Sequence, residues 1–565
     1  MSKCTRKKTP FGIGGDPLHW VWAIREEEDE MSLVRDRIVH SPYPDVTIPE
    51  CPLYEYIARF LERHADRTAF VEGEEAISYA VLQTRLGQYA AGFYKHGVRR
   101  GDRFIVAVDG STDALVSIMA LMFSGCVACF ASGPRTAQEL AYQVQDADAS
   151  FCLTDNENLA YIIEEQPQCR FKMIFVTRDV PGFVSVTSFR GLTEMALEKL
   201  QQEDTKKALC AIAYTSGTTG DAKGVMVSQY SFVAAIESLK ELKCAGEHEV
   251  LIVLWRMYAV SAVRLFMEGL CAGATAIIVK PKHGNTEIIE AIRKHNVTSL
   301  LASATPLQRL VRDVVEAGET LKSVSFVGSV GGTLPASVVE QMKNVFDLRK
   351  LAHTYGLTEA AGVVMVPRVT ELSVAYLGYA CAGVLIKVVD VTTRKALPAG
   401  KGGEICVKIP SVMMGYLNKP EATAQVFDSE GWLLSGDIGY YDEEGRVHYI
   451  DRLKDTIKCL GFHVPTPELE QLISSMAEVS EVAVVGVPSA EYQDAPIAFV
   501  VLKHSVVGNA TLALKIKQHV AATTPSHMHL YGGVVFTDSL PRNAIGKVLK
   551  KDLRNIAADK NTIKL

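Results

Sequence analysis

The run Tyr214-Thr-Ser-Gly-Thr-Thr-Gly-Asp-Ala-Lys-Gly-Val-Met-Val-Ser228 holds the residues best suited to chemistry. It is a loop sequence between two apolar stretches. Leu209 to Tyr214 reads as a short buried strand and Gly224 to Val227 as a returning one. Gly217, Gly220 and Gly224 let a backbone approach a ligand closely. The hydroxyls of Thr215, Ser216, Thr218, Thr219 and Ser228 can donate to oxyanions alongside the loop N–H groups, and Lys223 adds a point charge. This is the chemistry of a polyphosphate cradle. Two other readings compete. One is a solvated surface turn, the common fate of Gly/Ser/Thr clusters. The other is a P-loop, which needs Gly-x-x-x-x-Gly-Lys-Ser/Thr, and that spacing is not present around Lys223.

Four more runs follow in order. Tyr355-Gly-Leu-Thr-Glu359 comes after a strand-like Val324 to Val327 and the turn-forming Gly328-Ser-Val-Gly-Gly-Thr333. Between Gly431 and Asp455, the turn Asp442-Glu-Glu-Gly445 separates two β-rich arms and predicts a hairpin. Ile457-Lys-Cys-Leu-Gly-Phe462 leads into Thr466-Pro-Glu-Leu469, where Thr466 fits a helix N-cap and Pro467 the first helical position. Near the end, Leu540-Pro-Arg-Asn-Ala-Ile-Gly-Lys547 sets a lysine after a proline turn. Each run alone has a plain reading as a solvated carboxylate, a charged surface or a solvated lysine. Together, in this order, they resemble the adenylate-forming superfamily of acyl-CoA synthetases, 4-coumarate–CoA ligases, firefly luciferases and peptide-synthetase adenylation domains. The resemblance covers about residues 50 to 555.

That resemblance implies roles. Thr215, Ser216, Gly217, Thr218, Thr219, Gly220 and Lys223 would cradle the phosphates of ATP. Tyr355, beside Gly356, would stack on adenine, Thr358 would meet the α-phosphate and Glu359 would help to hold Mg2+. Asp437 would bind the ribose hydroxyls, a task that suits a carboxylate because it accepts from two neighbouring O–H groups. Arg452 would lie near the ribose, Lys458 would join the nucleotide-binding set and Lys454 would be the interdomain hinge. Lys547 would be the catalytic lysine, acting with Lys223, Thr358 and Glu359. The implied reaction activates a carboxylic acid as acyl-AMP and then transfers it to coenzyme A. A luciferase-like oxygenase, an ATP-binding protein that has lost efficient chemistry, and loading of a carrier-protein thiol stay open.

The chain departs from the family in places. Ala222 stands where proline is usual, Leu460 where lysine is common, and Pro465-Thr-Pro467 replaces Ala-Pro-Ala. In Leu251-Ile-Val-Leu-Trp-Arg-Met-Tyr-Ala259, Arg256 takes the place of the usual histidine, with Tyr258 beside it. These two residues, with Gly331 and Gly332 on a second wall, are expected to shape the acyl pocket. The departures bear on the acid, and its identity is not legible.

The elements that must position these residues follow from the wider pattern. A chain of 565 residues exceeds one core, and about two to four domains are expected. Helix-like segments (Leu53 to Ala65, Ala114 to Phe123) alternate with strand-like ones (Phe104 to Val108), which argues for α/β layers with mostly parallel sheets. The fold class expected is α/β, with a large N-terminal domain of layered sheets and helices and a small mobile α+β C-terminal domain. The boundaries read as an extension of low order over 1–50, an AMP-binding domain over 51–451, a hinge over 452–454 and a C-terminal lid domain over 455–565. A net charge of −6, with no massed basic segment, points away from nucleic acid. No apolar run is long enough to cross a bilayer, and the basic N-terminus lacks the apolar stretch of a secretory signal. The twelve cysteines are scattered, and Cys126 and Cys129 sit in an apolar run, so buried thiols in a reducing compartment are expected. Ile563-Lys564-Leu565 weakly resembles a peroxisomal address, leaving peroxisome and cytoplasm both open.

Overall fold

Short β-branched strands followed by apolar helices can bury both faces of a parallel sheet, and the chain does this twice. The computed structural model describes residues 33–131, 137–156, 169–197, 204–215, 222–240, 246–254, 257–279, 284–332, 334–504, 506–542 and 548–559. Among these residues, one eight-stranded sheet is centred on the parallel strands Arg103–Ala107, Val127–Phe130 and Phe151–Thr154. Leu209–Thr215 joins it in parallel, and Lys223–Ser228 returns antiparallel. A nine-stranded sheet runs through Val250–Val253, Ser299–Ser303, Phe326–Val330 and Lys350–Leu357.

One core joins the two sheets. It combines Phe104, Ala128 and Cys210 from the first with Phe70, Leu251 and Ala276 from the second. The helix Thr112–Phe123 lies inside it with every residue buried, so it shows no polar stripe. Its start is fixed by Ser111, whose side chain accepts from the N–H of Ala114 at 3.1 Å. A second core, with Leu300, Val327 and Leu351, packs the other face of the nine-stranded sheet against the helices Thr286–His295, Ala304–Glu316 and Ala336–Val345. Cys126 and Cys129 are buried free thiols, both pushed up to about 12 by burial, in keeping with the expectation from sequence.

A six-stranded antiparallel sheet carries the predicted hairpin, with Leu433–Tyr441 and Val447–Arg452 paired across the Asp442–Gly445 turn. The same sheet corrects the reading of the N-terminal extension. Residues 33–50 are not wholly irregular, because Val34–Arg35 and Ile38–Val39 form a small hairpin turning at Asp36 and Arg37, both at positive φ. Val39 pairs with Ile386 and is fully buried. Pro42, Pro44 and Pro49 lie beyond these residues, whose β-branched side chains find a sheet edge to pack on. The C-terminal part has its own five-stranded sheet, built on Val479–Ser489 and Gln493–Leu502, and its own core around Ile457, Leu469 and Ile516. Among the described residues no helix is long and apolar enough to cross a membrane.

The strand Lys350–Leu357 requires glycine at position 356. A Cβ there would lie 2.6 Å from the carbonyl oxygen of Gly362 on the paired strand, backbone against backbone. Gly356→Ala must therefore splay this pair at a cost of about 1–3 kcal/mol. We expect a thermal midpoint lowered by a few degrees in scanning calorimetry. An unchanged midpoint would show that the pair opens freely.

Candidate active site

The C-terminal ends of the central strands and the antiparallel hairpin open on one cleft of about 3030 Å3. Thr215 and Lys223, the last and first residues of the strands flanking the glycine-rich loop, both line it. They face each other in register, and the Thr215 hydroxyl donates to the Lys223 carbonyl at 3.5 Å. Residues 216–221 lie outside the described residues, so Ser216, Gly217, Thr218, Thr219 and Gly220 carry no structural account. Arg256 and Lys547 also lie outside them.

Tyr355, Gly356, Thr358 and Glu359 line the same cleft at the end of Lys350–Leu357 and the turn Thr358–Ala360. Opposite stand Asp437, Arg452 and Lys454. The Tyr355 hydroxyl donates to Asp437 Oδ2 at 2.5 Å, and Arg452 Nε lies 3.0 Å from Asp437 Oδ1. The side chain of Asp437 is only 2% exposed, so its charge depends on these partners. The hairpin register sets the pair, since Asp437 lies directly across from Arg452. Burial first, and then the Asp437 carboxylate, hold the Tyr355 phenol well above its usual range. Burial also lowers the Lys454 ammonium, with Asp455 opposing. Gly331 and Gly332 line the cleft, whereas Tyr258, in the turn after Met257, and Lys458 do not. Lys458 is exposed on the strand Ile457–Cys459, and its N–H donates to Asp494.

Several residues here escaped the sequence reading. Tyr416 donates to Glu359 Oε1 at 2.7 Å, and Lys223 Nζ lies 4.9 Å from its ring centroid. Burial, then Glu359, push its phenol well up, so it remains an O–H donor. His353 shares the cleft, buried two residues before Tyr355, and strand periodicity places both on one face. That spacing was the available signal. Asp451 accepts from the Thr466 hydroxyl at 2.8 Å, and Thr466 accepts from Lys550 at 2.5 Å. Lys550 also pairs with Glu470 at 3.0 Å. Thr466 is therefore not the expected N-cap. Pro465 holds that place without a side-chain bond, Thr466 begins the helix Thr466–Ser474, and its hydroxyl is spent on the Asp451–Lys550 bridge.

Residues 57–417 match the family described as AMP-binding enzyme, and residues 468–547 match its C-terminal domain. The chain is 30% identical to 4-coumarate–CoA ligase 3 of Arabidopsis thaliana over 92% of this chain and 94% of that protein. It is 29% identical to the peroxisomal OPC-8:0-CoA ligase 1 of the same plant, over 93% and 96%. The solved structure of ATP-bound MatB from Rhodopseudomonas palustris superposes with a TM-score of 0.77 at 28% identity, covering 90% of this chain and 99% of that one.

Burial lowers His353 to about 4, so the folded protein keeps it neutral. Unfolding lets the ring take up a proton below its ordinary value near 6.5. The folded state is therefore favoured fully above pH 6.5, and this contribution is lost as pH falls towards 4, by up to ~3 kcal/mol. Urea denaturation of His353→Gln between pH 7 and pH 4 should show a shallower fall in stability than the parent chain. Identical pH slopes would remove His353 from the acid response.

Proposed function

We propose, on the premise that the chain belongs to the AMP-binding enzyme family, that it is an AMP-forming acid–thiol ligase. It activates a carboxylic acid with ATP and transfers the acyl group to coenzyme A, the thiol named for its ligase relatives. A carboxylate oxygen of the acid bonds to the α-phosphorus, the bond from that phosphorus to the pyrophosphate oxygen breaks, and acyl-AMP forms. The deprotonated sulfur of coenzyme A then bonds to the acyl carbon, and AMP leaves with the electron pair. The observation that carries this reading is the convergence of Lys223, Tyr355, Glu359, Asp437 and Arg452, from distant parts of the chain, on one cleft.

Each side chain then has a task. The loop from Thr215 to Gly220 and Lys223 hold the phosphates. Tyr355 stacks on adenine beside Gly356, Asp437 takes the ribose hydroxyls, and Arg452, 3.0 Å away, holds that carboxylate in place. Thr358 meets the α-phosphate. Among the described residues no three His, Cys, Asp or Glu side chains gather as a metal centre, so Glu359 would hold Mg2+ together with phosphate oxygens of ATP. When bound, that ion would neutralise charge developing on the phosphates. Gly331 and Gly332, with Arg256, are assigned to the acyl pocket, whereas Tyr258, which does not line the cleft, drops out of that set. Lys458 keeps its place in the nucleotide-binding set only if the C-terminal part turns, since it lies off the cleft here.

A turn about residues 452–454 gives one cleft two reactions, the thiol step following adenylation. Leu540, Arg542 and Val548, which flank the segment bearing Lys547, line the cleft, and this supports an adenylating arrangement. Lys547 would then meet charge at the α-phosphate. Location remains peroxisome or cytoplasm, and a fluorescent fusion with and without Ile563-Lys564-Leu565 separates them.

Pyrophosphate release across a panel of carboxylic acids, with and without coenzyme A, tests the whole reading. We expect acid-dependent pyrophosphate and acyl-CoA. Pyrophosphate without thioester would favour another acceptor, and neither product with any acid would overturn the reading. Lys547→Ala should lower acyl-adenylate formation by about two orders of magnitude, while thioester formation from supplied acyl-AMP stays near the parent rate. Equal loss in both half-reactions would remove Lys547 from the adenylating role. Asp437→Ala should mainly raise the KM for ATP, because ribose binding is common to ground and transition states.

A further inference from the structure

Tyr416 stands between two cleft residues that lie 136 positions apart in the sequence, Lys223 and Glu359. It is held rigidly. The short strand Gly415–Tyr416 pairs antiparallel with Lys223–Ser228, with Tyr416 opposite Val225, so it rides on the strand that leaves the glycine-rich loop. Its N–H donates to Thr423 Oγ1 at 2.8 Å, and Thr423 donates in turn to the Lys419 carbonyl at 3.0 Å. The preceding residues are sewn to the Thr358–Ala360 turn. Met413 N–H donates to the Glu359 carbonyl at 2.9 Å, and the Ser411 hydroxyl donates to the Ala360 carbonyl at 2.7 Å. From this mount, the ring offers a face to the Lys223 ammonium and the hydroxyl offers a proton to one Glu359 oxygen.

We propose that Tyr416 is a positioning residue that couples the phosphate-side lysine to the metal-side carboxylate. It fixes one oxygen of Glu359 so that the carboxylate meets a nucleotide-bound divalent cation in a single orientation. The proposal rests on the roles given above to Lys223 and Glu359. Two functions sit on separate parts of one side chain, so two substitutions divide them. Phenylalanine keeps the ring and removes the hydroxyl. Leucine removes both.

The test is calorimetric binding of a non-hydrolysable ATP analogue, once with Mg2+ and once with EDTA. Tyr416→Phe should weaken binding about tenfold with Mg2+, the scale of one hydrogen bond to a charged group. It should leave binding in EDTA unchanged. Tyr416→Leu should weaken binding in both conditions, because Lys223 also loses its ring. Glu359→Gln serves as the reference. If it weakens Mg2+-dependent binding and Tyr416→Phe adds nothing on top of it, the coupling is supported. If Glu359→Gln has the effect and Tyr416→Phe binds like the parent in both conditions, the coupling is wrong while the reading of Glu359 stands. If Glu359→Gln is itself without effect, the reading of the metal site fails first. Equal weakening by Tyr416→Phe with and without Mg2+ would mark a general packing role and overturn the proposal.

Discussion

Asp437 is a carboxylate almost fully withdrawn from water, and the rest of the site depends on how that charge is satisfied. Burying a lone carboxylate is prohibitive, and a buried pair repays its desolvation only in good geometry. The chain meets this by bringing three strands to one point. Tyr355 comes from the end of the nine-stranded sheet, and Asp437 and Arg452 from facing positions of the hairpin. The approach to Asp437 is pinned as well. The Ser435 hydroxyl donates to the Ile405 carbonyl at 2.6 Å and accepts from the Asp437 N–H at 3.0 Å, and Gly436 donates to Glu404 Oε1 at 3.1 Å. Gly436 is at φ +67°, a conformation that suits glycine. The two sheets are thus tied where the nucleotide is proposed to bind, and Arg452 is at once an ion-pair partner and the first residue of the proposed hinge.

The same strand carries the link onward. Asp451, next to Arg452, reaches the Thr466 hydroxyl, and Lys550 closes that bridge from the last described helix. Arg554 of that helix lies 2.5 Å from Asp455. These contacts join the end of the hairpin to the C-terminal part through a buried Asp451–Thr466 bond and partly buried ion pairs. The Arg554–Asp455 pair, partly open to water, can exchange partners at modest net cost, whereas the buried Asp451–Thr466 bond cannot. A joint that mixes one buried bond with exchangeable ion pairs is compatible with the turn proposed about residues 452–454.

Much of this was legible in residue types and spacing, for definite reasons. Glycine and hydroxyl clusters flanked by β-branched runs mark strand–loop–strand units, and Leu209–Thr215 and Lys223–Ser228 lie within a residue or two of where the pattern put them. The Asp442–Gly445 turn marks its hairpin because few sequences other than a turn hold such polarity between two apolar arms. What the sequence hid were partners distant along the chain. Tyr416 looks like an ordinary strand aromatic until the register with Val225 brings it over Lys223. Thr466 looks like a cap because local pattern cannot show that Asp451 and Lys550 claim its hydroxyl. Val34, Ile38 and Val39 were hidden by neighbouring prolines and charges, although a sheet edge formed by residues near position 386 was waiting for them. Roles drawn from family resemblance gave a set of residues, and the fold supplied the contacts among them.

The most direct test of this account is a structure of the chain with a non-hydrolysable acyl-adenylate analogue. The account predicts ribose hydroxyls within about 3 Å of Asp437, the adenine against Tyr355, and Arg452 still paired with the carboxylate. A nucleotide bound elsewhere, or bound in this cleft with its ribose remote from Asp437, would contradict it.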